Sequence, residues 1–210
     1  MMDIVHWEFL PEGELLYRLK QTRLKGFSQP LIYEHSTLVI KEQVQPDTLV
    51  PAQLYVLRGQ VQVVLDIAEA FEQTGIDVFG LTGALLFWLA GSDPATDPPI
   101  PFLPPVVEES QEPDGRIIAL INDGMHRIAA ARRLGRKINI VYVSNVPREY
   151  PYYAYALPQG FDMVQEIDQL TEGFKKKEYR NPQDYKALFR VFTGVFPGVQ
   201  ADRRETHVNK

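Results

Sequence analysis

The chain has 210 residues, a net charge of −5 and no cysteine. An acidic chain is a poor general ligand for nucleic acid, because such binding depends on Lys and Arg side chains that neutralise phosphates. The lack of cysteine excludes thiol catalysis, disulfides and cysteine–zinc sites. The length suits one domain with decoration, so we treat residues 1–210 as a single domain.

The sequence shows no pattern typical of a leader or a membrane anchor. The first ten residues include Asp3 and Glu8 and have no long apolar run. The most apolar stretch, residues 78–90, is 13 residues long and contains two glycines, whereas a membrane-spanning helix needs roughly 20 apolar residues. We therefore expect a cytoplasmic protein with no membrane partner.

Helical and extended patterns alternate over the first part of the chain. Residues 12–25 carry leucines at helical spacing among charges and predict an amphipathic helix. Residues 31–40 are rich in β-forming side chains and predict the first strand. Residues 60–74 have apolar side chains on one helical face and end before Gly75, which predicts a second helix. Residues 76–90 predict a short loop followed by another apolar segment.

A proline-rich segment follows at residues 91–105. It contains six prolines, and each proline fixes φ and lacks a backbone N–H donor, so we predict an irregular loop. A loop of this length is either a binding loop or lid, or an insertion without a role. The sequence leaves both alternatives open.

The clearest pattern lies in the middle of the chain. A strand begins at Val106, a hairpin-like turn follows at residues 112–115, and residues 116–121 form a second strand. Residues 124–134 predict a helix, and residues 137–143 predict a third strand. This order predicts an α/β or α+β fold in which helices flank a small mixed sheet.

The last part of the chain combines aromatic, basic and polar segments. Residues 150–155 form an aromatic loop, which is typical of packing or of a surface that stacks on a base. The basic run 174–180 (FKKKEYR) is typical of a solvated face, with contact to a nucleotide as the alternative. Residues 184–192 predict a helix. We divide the domain into residues 1–48 (N-terminal extension and first strand), 91–105 (proline-rich loop), 106–143 (core) and 144–210 (C-terminal decoration).

Residues 123–127 (DGMHR) join the second strand of this core to its helix. The first N–H groups of a helix have no intrahelical partner and, with the helix dipole, favour a bound anion. Gly124 lets the backbone approach a ligand, Asp123 is expected to cap the helix, and Arg127 offers a planar fork that matches phosphate oxygens. We predict a phosphate-binding site made of Gly124, Met125, His126 and Arg127. An ordinary turn with an Asp cap is the alternative.

In this frame, residues 104–135 (PPVVEESQEPDGRIIALINDGMHRIAAARRLG) resemble the nucleotide-binding core of the ParB/sulfiredoxin superfamily. In that superfamily a strand leads into a Gly-containing turn with His-Arg or Arg-Arg, and an alanine-rich helix ends in Leu-Gly. The turn contacts nucleotide phosphates. The resemblance is clear over residues 103–143, and it implies a ParB/sulfiredoxin-like fold with a bound nucleotide.

Three branches of the superfamily differ at the turn. Sulfiredoxins need a cysteine just before the His-Arg pair; this chain has Met125 there, so that activity is excluded. ParB partition proteins usually carry Gly-Glu-Arg-Arg and a following helix-turn-helix domain, and the sequence shows neither pattern. Free-serine kinases carry Asp-Gly-His-His-Arg, to which DGMHR is the most similar.

The resemblance to the kinases implies a catalytic set and a reaction. Those kinases have a catalytic glutamate in a His-Glu-Gln-Leu stretch after the first strand, and Glu42 in Lys-Glu-Gln-Val is similar, with Glu34 as a competing candidate. The resemblance makes Glu42, Asp123 and His126 the catalytic residues of a nucleotide-dependent phosphotransferase. It implies ATP or ADP with Mg²⁺ as cofactors, and a small hydroxyl-bearing substrate as partner.

A second function is a ParB-like nucleotide-binding or nucleic-acid-associated module without small-molecule kinase activity. The pI of about 5.4 weighs against DNA as a partner. His6, His35 and His207 do not have the spacing of metal ligands, so we predict no metal site within the protein itself. The sequence leaves the oligomeric state and the acceptor open.

Overall fold

The computed structural model describes residues 2–192 and 195–196, so His207 lies outside the described residues. The described chain forms eleven strands and three α-helices. The strands are β1 Ile4–Leu10, β2 Arg23–Leu24, β3 Thr37–Val44, β4 Tyr55–Leu57, β5 Ala84–Leu89, β6 Ile100–Phe102, β7 Val106–Gln111, β8 Ile117–Asp123, β9 Ile138–Ser144, β10 Gln165–Ile167 and β11 Arg190–Val191. The helices are α1 Glu12–Leu19, α2 Arg58–Glu72 and α3 Met125–Arg133.

A four-stranded mixed sheet of order β3-β9-β7-β8 forms the predicted core. Strands β7 and β8 form an antiparallel hairpin, whereas β7 and β9 are parallel. A parallel pair needs a crossover connection, and between β7 and β9 this connection consists of β8 and α3. The hairpin turn closes with a 2.9 Å hydrogen bond from the Gly115 N–H to the Glu112 carbonyl. The prediction of an α+β fold with a mixed sheet is confirmed.

Helices α2 and α3 pack together on one face of this sheet. Val61, Val64 and Phe71 recur on one face of α2 and are buried, because apolar residues at helical spacing must be removed from water together. Ile128 does the same on α3. The predicted helix over residues 60–74 is confirmed within two residues at each end.

A second sheet, of order β1-β5-β6, corrects two predictions. Strand β1 lies in the N-terminal extension, where we predicted no strand. Strand β6 lies inside the proline-rich segment, where we predicted only irregular loop. Pro101 is tolerated because β6 is an edge strand, and its missing N–H can lie on the side that has no neighbouring strand.

The predicted helix over residues 12–25 is too long, because α1 ends at Leu19. After it the chain turns so that the Thr22 carbonyl accepts from the Ile32 N–H at 2.9 Å. The predicted strand over residues 31–40 is displaced, and β3 begins at Thr37. The preceding residues form turns that direct Tyr33 into the core.

The predicted helix over residues 184–192 is wrong. The chain makes a short 3₁₀ turn at Tyr185–Leu188 and then enters β11, which pairs with β2. The Lys25 N–H donates to the Phe189 carbonyl at 2.9 Å. Pairing with a distant segment therefore overrides the local helical pattern. Among the described residues, none of the helices is long and apolar enough to cross a membrane.

Candidate functional site

The DGMHR turn forms where β8 ends at Asp123 and α3 begins at Met125. Gly124 between them has φ +91°, in the left-handed region that side chains with a Cβ disfavour. A Cβ on Gly124 would also lie 2.7 Å from the Cβ of Pro105. The turn therefore requires glycine on two independent grounds, conformation and space.

The predicted cap by Asp123 is wrong. Among the described residues, no side chain caps α3. The Asp123 carboxylate instead accepts from the guanidinium of Arg127, which also donates to the Leu103 carbonyl. Only 12% of the Arg127 side chain is exposed. The N–H groups in the first turn of α3 thus have no side-chain acceptor, while the charge of Arg127 is already paired.

His126 is held in a neutral form. The Leu57 N–H donates to His126 Nε2 at 3.1 Å, so this nitrogen carries no proton. Burial lowers the pKa of His126, with a smaller lowering from Arg127 and an opposing effect of Asp123. The proton of the neutral ring is then on Nδ1. The bond to Leu57 ties the start of α3 to the start of α2.

A cleft of about 1660 Å³ lies beside the turn, and Asp123 to Arg127 all line it. Another wall of the cleft comes from the C-terminal segment and includes the aromatic side chains Tyr179, Tyr185 and Phe189. These rings pack on one another, with Tyr179 and Tyr185 stacked at 3.8 Å between centroids. The wall is therefore a packed surface rather than a set of separate side chains.

The lining of this cleft is basic, although the whole chain is acidic. Asp123 is the one acidic residue among the described lining residues. The basic ones are Arg23, Lys25, Arg127, Lys176, Lys177, Lys186 and Arg190. Within the described chain, neither Lys176 nor Lys186 pairs with an acidic side chain, and partial burial lowers the pKa of Lys176. These features favour an anionic ligand.

A buried polar cluster lies directly behind the turn. Arg190 donates from Nε and Nη2 to the two oxygens of Glu108, each at 2.9 Å, and both side chains are almost fully buried. The Tyr33 hydroxyl also donates to Glu108. Burial, then the Glu108 charge, raise the pKa of Tyr33 well above its usual value, so the hydroxyl remains a donor. Asn122 completes the cluster from the residue that precedes Asp123.

Glu42 does not lie at the turn. It is exposed near the end of β3, an edge strand, and it does not line the cleft. Across the sheet, Ile40 on β3 pairs with Val141, Val141 pairs with Val106, and Val106 pairs with Asp123. Three strand spacings of about 4.8 Å therefore separate β3 from the turn, roughly 14 Å in all. The competing candidate Glu34 is also exposed, and it too is outside the cleft lining.

The structure thus brings together Asp123, Gly124, Met125, His126 and Arg127, and it leaves Glu42 apart. Asn122, Lys186 and Arg190 also belong to the site, and no sequence pattern identified them. Lys176 belongs to the basic run over residues 174–180, for which the sequence predicts contact to a nucleotide as the alternative to a solvated face. In the described part of the chain, no group of three or more His, Asp or Glu side chains could hold a metal ion.

The family model of the ParB CE domain matches residues 14–165. The chain belongs to the ParB CE domain family. No curated protein and no solved structure matches it. The match to the ParB CE domain covers the central sheet, α2, α3 and the DGMHR turn, but it ends before the C-terminal wall of the cleft, which begins at Leu170.

Proposed function

We propose that this ParB-family chain binds the phosphates of a nucleotide at the DGMHR turn and transfers a phosphoryl group to a small hydroxyl compound, as the free-serine kinases do. One observation carries the proposal. The N-terminus of α3 follows the left-handed Gly124, has no side-chain cap, and lines a basic cleft in a protein whose net charge is negative. The backbone N–H groups at the start of α3 and the side chains of Lys176 and Lys186 both suit phosphate. ATP or ADP with Mg²⁺ is the proposed donor.

The charges at the turn fit a nucleotide that arrives with its metal ion. Mg²⁺ is usually held by one or two carboxylates together with substrate phosphates and water. Asp123 is the carboxylate that the described cleft lining offers, and 40% of its side chain is exposed. We expect the phosphates to compete with Asp123 for the guanidinium of Arg127, which would release the carboxylate. The Nδ1–H of His126 adds a neutral donor.

Phosphoryl transfer also needs a group that accepts the proton of the attacking hydroxyl. The resemblance assigns this role to Glu42, which lies on β3, at the opposite edge of the sheet from the turn. Asp123 lies at the turn, and we propose that one of its carboxylate oxygens is the base while the other faces Mg²⁺. The oxygen of the acceptor then bonds to the transferred phosphorus, the bond to the departing nucleotide breaks, and the proton passes to Asp123.

Calorimetric titration of the purified protein with ATP, ADP, CTP and GTP, each with Mg²⁺, tests the binding step. We expect micromolar affinity for an adenine nucleotide and at least a tenfold loss in Arg127→Ala. Arg116→Ala is the matched control, because Arg116 is also paired with a nearby aspartate but lies on the exposed hairpin. Absence of binding, or equal losses in both variants, would contradict the phosphate site.

Phosphorus NMR with serine and other small hydroxyl compounds tests the transfer step. We expect Asp123→Asn to lose product formation and Glu42→Gln to retain it. Loss in Glu42→Gln alone would return the role of base to Glu42 and would require the cleft to rearrange. Formation of no phosphorylated product by the wild type, with nucleotide bound, would reject the kinase proposal and leave the binding proposal intact.

The family supports a second function, a ParB-like nucleotide-binding or nucleic-acid-associated module without kinase chemistry. The position of Glu42 favours it, because the resemblance to the kinases makes this residue the catalytic base and the structure places it away from the turn. Preferential binding of CTP in the same titration, with slow hydrolysis and no acceptor, would support this module. Binding to a DNA duplex that weakens steeply with added salt would extend it to nucleic acid.

A further inference from the structure

Asn122 has a buried carbonyl oxygen without a hydrogen-bond partner among the described residues. The residue is 5% exposed, and it lines the cleft immediately before the DGMHR turn. Buried polar atoms are nearly always paired, because an unpaired one loses its bonds to water without replacement. An acceptor without a partner, in a residue that lines a basic cleft, therefore indicates a missing donor.

The orientation of this amide is fixed by its neighbours. Asn122 Nδ2 lies 2.6 Å from the Tyr33 hydroxyl oxygen and 2.9 Å from Glu108 Oε1. Glu108 is an ionised acceptor, because Arg190 binds both of its oxygens. A flipped amide would place Oδ1 against the carboxylate, and two acceptors repel. The nitrogen must therefore face the cluster, and the carbonyl oxygen is the end left for another partner.

The surrounding charges select a neutral donor. Glu108 is paired with Arg190 and Asp123 with Arg127, and the other charged residues of the cleft lining are basic, so an ammonium group would find no net negative charge beside Asn122. A hydroxyl group can donate without this penalty. Asn122 lies two residues before Gly124, which is at most about 7 Å along an extended chain, so one ligand can reach both Asn122 and the turn.

We propose that Asn122 Oδ1 accepts a hydrogen bond from a hydroxyl group of the ligand whose phosphate lies at the DGMHR turn, and so selects hydroxyl-bearing ligands. The proposal rests on the proposed function, because it uses the same bound phosphate. The hydroxyl belongs either to the ribose of the nucleotide or to the small acceptor. Both sources share the same chemistry, and two pairs of probes distinguish them.

The first pair is ATP and 2′,3′-dideoxy-ATP, titrated with Mg²⁺ into the full chain. The second is L-serine and L-alanine, titrated into protein saturated with a non-hydrolysable ATP analogue. We expect the wild type to bind the hydroxyl-bearing member of one pair about tenfold more tightly, since a site that pairs a hydroxyl disfavours the analogue without it. The pair that discriminates identifies the source.

Two variants distinguish the effect of the Asn122 carbonyl from that of the polar cluster around it. Asn122→Leu removes the acceptor, and the ratio of the two affinities should fall to about one, while inorganic tripolyphosphate binds as before. Tyr33→Phe disturbs the same cluster but keeps the Asn122 carbonyl, so the ratio should persist. If Asn122→Leu fails to fold, the lack of discrimination in both wild-type pairs would still overturn the proposal.

The outcomes differ for the two proposals. If the wild type binds neither ATP nor tripolyphosphate, the phosphate site and the role of Asn122 are both rejected. If it binds ATP but discriminates in neither pair, Asn122 faces only water and the inference alone is overturned. A ratio that persists in Asn122→Leu overturns it as well.

Discussion

Arg190 and Glu108 form a bidentate ion pair in which Nε and Nη2 each donate to a different carboxylate oxygen at 2.9 Å. The pair joins the last strand, β11, to β7 in the central sheet, across 82 positions of sequence. Arg190 also donates to the backbone carbonyls of Tyr150, Pro151 and Leu188. One buried guanidinium therefore fixes the C-terminal wall against the strand that borders the DGMHR turn.

Replacement of Arg190 by methionine should strongly destabilise the protein. The variant leaves the Glu108 charge buried without compensation, which typically costs about 3–5 kcal/mol. Urea denaturation followed by circular dichroism measures the change in the free energy of unfolding. Arg116→Met is the control, because exposed pairs contribute about 0–1 kcal/mol. A loss in Arg190→Met no larger than in the control would contradict this role for the pair.

Gly124→Ala should be more destabilising than Gly115→Ala, although both glycines have similar positive φ values, +91° and +87°. Each change introduces a left-handed alanine, at about 1–2 kcal/mol. Only the Cβ at position 124 also collides, with Pro105, whereas position 115 is open. Overpacking typically adds about 1–3 kcal/mol. Thermal unfolding of the two variants gives the difference, and equal losses would show that Pro105 moves aside freely.

The stability of the protein should fall in mild acid because of His126. Burial lowers the folded pKa of His126 below its unfolded value of about 6.5. The unfolded chain therefore binds the proton more readily, so this contribution is complete above pH of about 6.5 and is lost as the pH falls through the folded pKa. Protonation of Nε2 also removes the acceptor of the Leu57 N–H.

His126→Gln checks this expectation, because an amide oxygen can still accept from Leu57 but does not titrate in this range. Urea melts between neutral pH and pH of about 5 should show a shallower dependence on pH in the variant than in the wild type. Identical slopes would assign the acid sensitivity to other groups.

Lys176→Gln should weaken nucleotide binding, and Lys175→Gln should not. Lys176 lines the cleft and has no acidic partner among the described residues. Its neighbour Lys175 is absent from the cleft lining and forms an ion pair with Glu178. We expect roughly a three- to tenfold loss of affinity in Lys176→Gln at low salt, diminishing as salt screens the charge. Equal effects of the two substitutions would mean that only net charge matters.

The segment that carries the turn could be predicted from the sequence because its signals are local. Glycines at 115, 124 and 135 mark the ends of elements and adopt positive φ, and apolar periodicity changes between strand and helix over a few residues. The error at Asp123 also has a local cause. Arg127, one helical turn later, pairs with the carboxylate that would otherwise cap the helix.

Strand β1 could have been predicted from its alternation. Val5, Trp7 and Phe9 are separated by the polar residues His6 and Glu8, which is the two-residue period of a strand. In the structure the three apolar side chains are exposed, at 52%, 40% and 47% respectively, so alternation predicts the strand without predicting which face is buried.

The buried charges could not have been predicted in this way. Arg190 and Glu108 are single residues whose local sequences are ordinary, and charged residues are rarely buried unless paired. Their pairing depends on which distant segments the fold brings together. The same holds for Glu42, whose local sequence resembles a catalytic stretch, while the register of the sheet places it away from the turn.

The family match ends at residue 165, whereas the C-terminal wall of the cleft comes from residues beyond it. A protein shortened to the matched segment would keep the DGMHR sequence but lose Arg190, leaving Glu108 as an uncompensated charge behind the turn. The end of the family match at residue 165 therefore does not coincide with the end of the folded domain, since Arg190 beyond it pairs with Glu108 inside it. Two chains that share the matched segment can therefore differ in the residues that complete the cleft, because the lining residues from Leu170 onward lie outside the match.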